Sequence, residues 1–295
     1  MAVSPQRATG AAPAPGAAST AARRPALRRP DRFAARYGPW ALVTGGSSGL
    51  GLAIADALAA IGLNLVLVAR HGDALERAAA DLRSRHRTGV RVVAVDLATV
   101  DGPQQLIDAV PDLDVGLLVA AAGFGTSGPF VATDLSTEEA MLAVNCRAVL
   151  ALTRHFAPRL IERGGGGIVL LGSLVGFQGV PACASYAATK AYVQTLAEAL
   201  HVELRRSNVD VIAAAPGPVH SGFAARAGMH LTRAAQPADL AVPILRALGR
   251  RGTVVPGALS RLLTFSLRML PRPARVRVMG NVMRGMVHGD GRTAG

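Results

Sequence analysis

The chain is predicted to form a single doubly wound α/β domain, in which helices cover both faces of a parallel seven-stranded sheet. Three features of the sequence support this fold class. Short apolar runs alternate with segments of helical periodicity from Trp40 onward, which is typical of parallel strands joined by right-handed helical crossovers. A glycine-rich turn follows the first of these runs. The 295 residues show neither an internal repeat nor a linker to a second domain.

The strands are predicted from runs that are short, apolar and rich in β-branched residues, as buried parallel strands are. They are residues 40–44, 64–69, 90–95, 115–121, 167–172, 208–214 and 252–255. The helices are predicted where apolar residues recur at intervals of three and four. They are residues 49–61, 72–86, 101–110, 136–163, 185–206 and 237–249.

The formal net charge of +13 is concentrated at the two ends of the chain. Residues 1–37 contain seven Arg and one Asp, and residues 246–295 contain ten Arg and one Asp. The intervening residues hold 15 basic and 17 acidic side chains. A nearly neutral domain gives no support to a nucleic-acid partner, and we predict none.

Three parts of the chain follow from this composition. We predict a disordered Ala/Pro/Arg-rich tail over residues 1–38, a catalytic domain over residues 39–256 and a basic, apolar extension over residues 257–295. The tail lacks the apolar region of a secretory signal, and its Ala and Pro content favours disorder over an organelle transit peptide. Two cysteines, Cys146 and Cys183, are too few for a disulfide framework. A cytoplasmic protein is therefore expected.

The C-terminal extension mixes basic and apolar side chains. Its apolar residues are Leu262, Leu263, Phe265, Leu267, Met269 and Leu270, and Arg261 and Arg268 lie among them. This pattern fits an amphipathic helix on an anionic membrane surface. The first expectation for this segment is a helix packed on the domain or on a subunit partner. Peripheral membrane contact is the second expectation.

The turn after the first strand reads Thr44-Gly45-Gly46-Ser47-Ser48-Gly49-Leu50-Gly51 and leads into a helix. Glycines here let the backbone approach a diphosphate, whose charge the helix N-terminus stabilises. A dinucleotide cofactor is therefore predicted. The same residues fit the Gly-x-Ser-x-Gly turn of serine hydrolases, with Ser47 as nucleophile. That fold needs an upstream strand and loop for its oxyanion hole, and only the predicted tail precedes this strand.

Two residues at the ends of later strands bear on the identity of the cofactor. Arg70 follows the second strand, where an NAD site expects an acid for the ribose 2′-hydroxyl and an NADP site expects Arg for the 2′-phosphate. Asp96 follows the third strand, near the expected position of the adenine. The sequence therefore predicts NADP.

Tyr186 and Lys190 are four residues apart in a predicted helix and so share one face. A Tyr hydroxyl ordinarily has a pKa of about 10, and a nearby ammonium is expected to lower it toward neutral pH. The tyrosine would then serve as a general acid or base. Lys190 is the only lysine beside 31 arginines. A compact ammonium is therefore expected to be required at this position.

Ser173 follows the fifth strand, on the edge of the sheet where the cofactor crevice is expected. Its hydroxyl can donate a hydrogen bond to a substrate carbonyl and stabilise developing alkoxide charge. With these residues the chain resembles the short-chain dehydrogenase/reductase family over residues 39–256. The resemblance rests on Thr44-Gly-x-x-x-Gly-x-Gly51, Asp96, Asn145, Ser173, Tyr186-x-x-x-Lys190 and Pro216-Gly217.

This resemblance implies a Rossmann-type fold and hydride transfer between the nicotinamide of NAD(P) and a carbonyl or alcohol carbon. It implies that Tyr186 exchanges the proton, Lys190 holds the ribose and Ser173 orients the carbonyl. Asn145 would hold a water of the proton relay. The residues expected at the cofactor are Thr44, Gly45, Ser47, Ser48, Gly49, Leu50, Gly51, Arg70, Asp96, Leu97, Ala122, Gly123, Tyr186, Lys190, Pro216, Gly217, Val219 and Ser221.

One stretch departs from the family pattern. The family usually has Asn-Asn-Ala-Gly after the fourth strand, and this chain has Ala120-Ala121-Ala122-Gly123. Side-chain hydrogen bonds expected to brace the strand or the cofactor are therefore absent, whereas every catalytic position is kept. The seven histidines lack metal-ligand spacing, and no metal site is predicted.

The sequence thus predicts an oxidoreductase that prefers NADP(H) over NAD(H) and reduces a small-molecule ketone or aldehyde. One alternative is a non-catalytic NADP-binding regulatory protein, which would not need Ser173, Tyr186 and Lys190 together. The serine hydrolase is a less favoured alternative. The resemblance also implies a homodimer or homotetramer formed through the long helices 136–163 and 185–206.

Overall fold

The sheet has seven strands, and all neighbouring strands run parallel. The computed structural model describes residue 27, residues 29–229 and residues 234–288. The strands are β1 (Trp40–Thr44), β2 (Asn64–Ala69), β3 (Val90–Ala94), β4 (Val115–Ala120), β5 (Gly166–Leu171), β6 (Val209–Ala214) and β7 (Thr253–Val254). Their order in space is β3-β2-β1-β4-β5-β6-β7. The seven predicted strands are confirmed to within one residue at each end.

Helices connect the strands and continue beyond β7. They are α1 (Pro30–Tyr37), α2 (Gly49–Ala59), α3 (Gly72–His86), α4 (Gly102–Asp108), α5 (Leu135–Leu142), α6 (Val149–Glu162), α7 (Ala184–Glu203), α8 (Gly222–Arg226), α9 (Pro237–Ala247), α10 (Ala258–Arg268) and α11 (Arg272–His288). A π-helical turn, Ala143–Ala148, joins α5 to α6. The predicted helix 136–163 is therefore three segments rather than one.

Apolar side chains form a core on each face of the sheet. Along β1, Leu42 joins the core that contains α6 and α7, whereas Ala41 and Val43 join the core that contains α2, α3 and α9. Successive residues of a strand point to opposite faces, so a strand covered on both sides must be apolar throughout. Every residue of β4 and β5 is buried for this reason. The doubly wound class is confirmed.

The strand order changes direction between β1 and β4. Chain connections leave these two strands toward opposite faces, which opens a crevice at the carboxyl edge of the sheet. The glycine turn after β1, Ala122-Gly123 after β4 and Ser173 after β5 all lie at this edge.

The prediction of a disordered tail over residues 1–38 is wrong at its C-terminal end. Residues 30–37 form α1, and Pro30 lies in its first turn, where proline is well tolerated. Tyr37 is buried, and both its hydroxyl and Arg36 Nε donate to Asp210 Oδ2 at 2.7 Å. The long-range carboxylate partner fixes a segment whose local composition gave no sign of order. Residues 1–26 and residue 28 lie outside the described part of the chain.

The C-terminal extension forms α10 and α11. Met279 and Met283 of α11 are buried against Val180 and Cys183, so this helix packs on the domain. Within residues 29–229 and 234–288, no helix has the length and hydropathy needed to cross a bilayer.

Candidate active site

The glycine turn brings β1, α2 and the end of β4 into close contact. Gly45 has a φ of +69°, and a Cβ there would lie 2.9 Å from the backbone nitrogen of Ala122. A Cβ on Gly51 would collide with the carbonyl oxygen of Gly45. Ser48 precedes α2 in extended conformation, and its side chain makes no capping hydrogen bond. The first amides of α2 are therefore free to bind an anion, as a cofactor diphosphate requires.

Thr44 fixes the backbone after β4 beside this turn. Thr44 is buried, and its Oγ1 accepts a hydrogen bond from the Ala122 amide at 3.0 Å. Ala121 donates its own amide to the Val119 carbonyl at 3.1 Å. The Thr44 hydroxyl and the Val119 carbonyl therefore hold the stretch in which both family asparagines are replaced by alanine.

Arg70 and Asp96 face each other at the outer end of the crevice. Arg70 Nη1 lies 4.0 Å from Asp96 Oδ2, and each side chain is about two-fifths exposed. Asp96 Oδ1 also accepts the Ala98 amide at 2.9 Å, which fixes the turn after β3. Leu97 packs its side chain into the core, so only its backbone is available to a ligand. The guanidinium remains open to solvent and to a phosphate.

Tyr186 and Lys190 lie one turn apart on α7 and are both buried. Lys190 Nζ donates to the Leu171 carbonyl at 2.7 Å and lies 5.8 Å from the centroid of the Tyr186 ring. A Cβ built on Gly123 would sit 3.4 Å from the same Nζ. The ammonium thus occupies a narrow site between β5, α7 and the backbone after β4.

Ser173 follows β5 and caps a short 3₁₀ helix, with its Oγ accepting the Val175 amide at 3.4 Å. Its hydroxyl also interacts with the Tyr186 hydroxyl. The two hydroxyls therefore converge at the carboxyl edge of the sheet, where the resemblance placed a substrate carbonyl.

Asn145 sits in the π-helical turn and is almost fully buried. Its Nδ2 donates to the Phe124 carbonyl at 2.8 Å and to Thr189 Oγ1 at 3.0 Å, and its Oδ1 accepts the Phe124 amide at 3.2 Å. Both side-chain polar atoms hold the loop after β4 against α7. The water-holding role remains a prediction, and the observed role is to brace the backbone beside Lys190.

The expectation that Lys190 lowers the pKa of Tyr186 is wrong for this structure. Burial raises the pKa of the Tyr186 hydroxyl above its usual range, and Ser173 acts in the opposite direction. Burial also lowers the pKa of Lys190 to about 8. Attraction to the ammonium would lower the pKa of the tyrosine, whereas desolvation disfavours the charged form of both groups and is the larger effect here.

Residues 216–228 close over the crevice from β6. The Pro216 carbonyl accepts the Leu174 amide at 3.1 Å, and Val219 forms a parallel bridge with Ala235. Ser221 caps α8, and a Cβ on Gly49 would lie 3.1 Å from its Cβ. The segment that contains Gly217 and Ser221 thus faces the glycine turn across the crevice.

The sequence did not predict that two residues of α8 lie near the crevice. The Phe223 ring lies 5.2 Å from the Tyr186 ring, and the Arg226 guanidinium lies 4.4 Å above the Phe124 ring. Burial lowers the pKa of Arg226, and the charge of Arg70 lowers it further. Arg226 is therefore a second cation near Arg70. A five-residue helix gives too little periodicity to be predicted, so no sequence signal pointed to this pair.

The described residues contain no cluster of three or more His, Cys, Asp or Glu side chains that could hold a metal ion. The residues are instead those that suit a dinucleotide. The crowded glycine turn and open α2 amides fit a diphosphate, and Arg70 fits a phosphate at the adenosine end. Lys190, Tyr186 and Ser173 then lie toward the other end.

Comparison with known proteins agrees with this geometry. The family model for short chain dehydrogenases matches residues 39–231. The 7beta-hydroxysteroid dehydrogenase of Clostridium sardiniense is 33% identical over 78% of this chain and 89% of its own length. The very-long-chain 3-oxoacyl-CoA reductase of Bos taurus is 31% identical over 61% of this chain, which spans only 59% of that reductase.

A solved structure extends the agreement to three dimensions. The short-chain dehydrogenase from Sphingobium yanoikuyae in complex with NADPH superposes with a TM-score of 0.71 and 31% identity. The superposition covers 82% of this chain and 95% of that one. The sequence match and the shared architecture lead to one conclusion: the chain belongs to the short-chain dehydrogenase/reductase family of oxidoreductases.

Proposed function

We propose that the protein is an NADPH-dependent reductase of a ketone or aldehyde. The observation that carries the proposal is Arg70, whose partly exposed guanidinium stands at the end of β2 where an NAD site would hold an acid. Bound NADPH supplies the hydride. Family membership sets aside the serine hydrolase alternative, because the glycine turn then serves the cofactor.

The protein's own groups bind and orient the carbonyl and move the proton. Ser173 donates a hydrogen bond to the carbonyl oxygen and stabilises the charge that develops there. Tyr186 donates its hydroxyl proton to the same oxygen, and its raised pKa makes the protonated form the resting state. Lys190 holds the ribose hydroxyls, and Asn145 keeps the loop after β4 in place beside it.

Arg70 favours the phosphorylated cofactor for an electrostatic reason. A guanidinium binds a phosphate through paired, charge-assisted hydrogen bonds, which are about twice as strong as neutral ones. Asp96 at 4.0 Å offsets part of the positive charge, and Arg226 adds to it. The net local charge therefore attracts a 2′-phosphate.

The variant Arg70→Ala tests the cofactor preference. We expect the KM for NADPH to rise about 10- to 100-fold, the loss typical of one charge-assisted hydrogen bond or a pair of them. The KM for NADH should stay within about twofold. Arg77→Ala, an exposed arginine of α3, is the matched control. Equal losses with NADH and NADPH would contradict a 2′-phosphate role, as would equal affinities in the unaltered protein.

Apolar side chains around Tyr186 support a substrate whose carbonyl belongs to a bulky, lipophilic skeleton, and the Phe223 ring lies 5.2 Å from the Tyr186 ring. Val180, Cys183 and Ala187, which are close to Tyr186 in the chain, are buried against Met279 and Met283 of α11. Burial raises the pKa of Cys183 to about 11, so its thiol is neutral there. The names of the two relatives point to a hydroxysteroid and a very-long-chain 3-oxoacyl-CoA, and both compounds carry a bulky lipophilic skeleton.

A ketone panel tests this substrate class. We expect kcat/KM with NADPH to be about tenfold or more higher for steroid and long-chain ketones than for acetone or a ketose sugar. The reason is that apolar walls gain from each buried methylene and leave sugar hydroxyls without partners. The decay of NADPH fluorescence gives the rates. A preference for the ketose would contradict the proposal.

We also propose that the protein forms a homodimer or homotetramer in the cytoplasm. Support comes from exposed apolar side chains along the long helices, namely Leu142, Leu150, Ile161 and Val202. These are the helices through which the family resemblance implies subunit contact, and exposed apolar side chains that form a patch mark interaction surfaces.

A further inference from the structure

Helix α10 buries very little of itself. Among its eleven residues only Thr264 is buried. The side chains of Leu262, Phe265 and Met269 are 62%, 64% and 73% exposed. Leu259 and Leu263 complete a face of three- and four-residue spacing that points away from Thr264. This face presents large apolar side chains to solvent.

The exposed face is held in a defined position. Arg275 of α11 donates from Nε to the Leu270 carbonyl at 2.8 Å and from Nη2 to the Arg268 carbonyl at 3.0 Å. These bonds close the C-terminal end of α10 and fix the corner between the two helices. Helix α11 is anchored on the domain through Met279 and Met283, and it also exposes the apolar residues Val278 and Val282.

The charges around this surface are all of one sign. Residues 258–288 contain six arginines and no acidic residue. Arg261 and Arg268 are exposed and lie three and four residues from Thr264, on the flank of α10 that is nearer the domain. The Arg268 guanidinium lies 5.7 Å from the Phe177 ring. An arginine on such a flank can place its stem on apolar surface and its guanidinium among polar groups.

We propose that the α10–α11 face, formed by Leu259, Leu262, Leu263, Phe265, Met269, Val278 and Val282, rests on the surface of an anionic lipid bilayer. The apolar side chains enter the boundary between headgroups and acyl chains, and the arginines bind lipid phosphates. Charge decides against a second copy of the same face. A two-fold interface would bring these arginines together without acidic partners.

Vesicle co-flotation tests the proposal on the full chain. Protein is mixed with vesicles of phosphatidylcholine alone, or of phosphatidylcholine with about 30% phosphatidylglycerol, a content that gives a negative surface potential. We expect binding to the anionic vesicles only, and weaker binding at high salt. Replacing Arg261 and Arg268 together by Gln should lower the partition coefficient by about fivefold per arginine.

Leu262→Asp removes the apolar part of the interaction and should lower binding to anionic vesicles by about tenfold or more. Val100→Asp is the control, because Val100 is an exposed apolar residue, at 79% against 62% for Leu262, and lies before α4. Unchanged circular dichroism melting and NADPH binding show that the variants are folded. Binding is read without any substrate, so this result is independent of the proposed reductase activity.

Two results would overturn the proposal. Equal binding to neutral and anionic vesicles would remove the role of the arginines. Failure to bind either vesicle, with a lower oligomer mass for Leu262→Asp in light scattering, would instead make the face a subunit interface.

Discussion

Replacing Tyr186 by Phe is expected to lower kcat for carbonyl reduction by about 10²- to 10⁴-fold, the usual contribution of a positioned proton donor. The hydroxyl is the only group removed, and the ring stays packed on Phe223. NADPH affinity should therefore change little. Steady-state rates with a bulky ketone, together with NADPH fluorescence titration, separate the two quantities.

Tyr192→Phe is the matched control, since Tyr192 lies on the same helix and is partly exposed. It should retain the unaltered rate. Full turnover by Tyr186→Phe would refute the proton-donor role. A protein that binds NADPH and turns over no ketone, with or without the change, would favour the regulatory alternative.

Lys190→Arg is expected to lower kcat/KM by about 100-fold or more even though the charge is kept. Nζ is buried at 2.7 Å from the Leu171 carbonyl, and the Gly123 backbone leaves no room beside it for a planar guanidinium. The wider group would have to displace the loop that Asn145 braces. Lys190→Met, which fits the space without a charge, should lose activity to a similar extent while it still folds.

The single lysine also gives a direct view of its own protonation. Protein labelled with ε-¹³C-lysine should show one side-chain resonance that titrates near pH 8, because burial disfavours the ammonium. The unfolded chain then holds the extra proton between about pH 8 and 10.5, so this residue makes folding more favourable as pH rises through that window. Urea unfolding should show that rise, and Lys190→Met should remove it. Titration at the ordinary value of 10.5 would contradict the burial argument.

The strands and most helices could be predicted because their signal is local. The apolar run Val66-Leu67-Val68 predicts a buried strand, and the periodic segment after it predicts helix α3, without reference to distant parts of the chain. The positions of the candidate site residues at one edge of the sheet could be predicted for a related reason. Glycines after β1, Ser173 after β5 and the Tyr186–Lys190 spacing are set by positions along elements that the pattern already defines.

Other features depend on contacts between residues far apart in the chain. The π-helical turn at Asn145 could not be predicted, because it depends on hydrogen bonds from the Asn145 side-chain amide to Phe124 and Thr189. The pKa of Tyr186 depends on how deeply neighbouring elements bury it. Helix α8 is too short for a periodic pattern, so the approach of Phe223 and Arg226 to the crevice appears only in three dimensions.

The hold of α1 on β6 affects where the chain can be shortened. Composition suggests removing residues 1–38 before crystallisation, yet such a cut would delete both donors to Asp210, whose side chain is only 14% exposed. The largely buried carboxylate would be left without its guanidinium, and the loss of Tyr37 would open the core beneath it. A shortened protein that keeps the contacts of Arg36 and Tyr37 with Asp210 should therefore begin at or before Pro30.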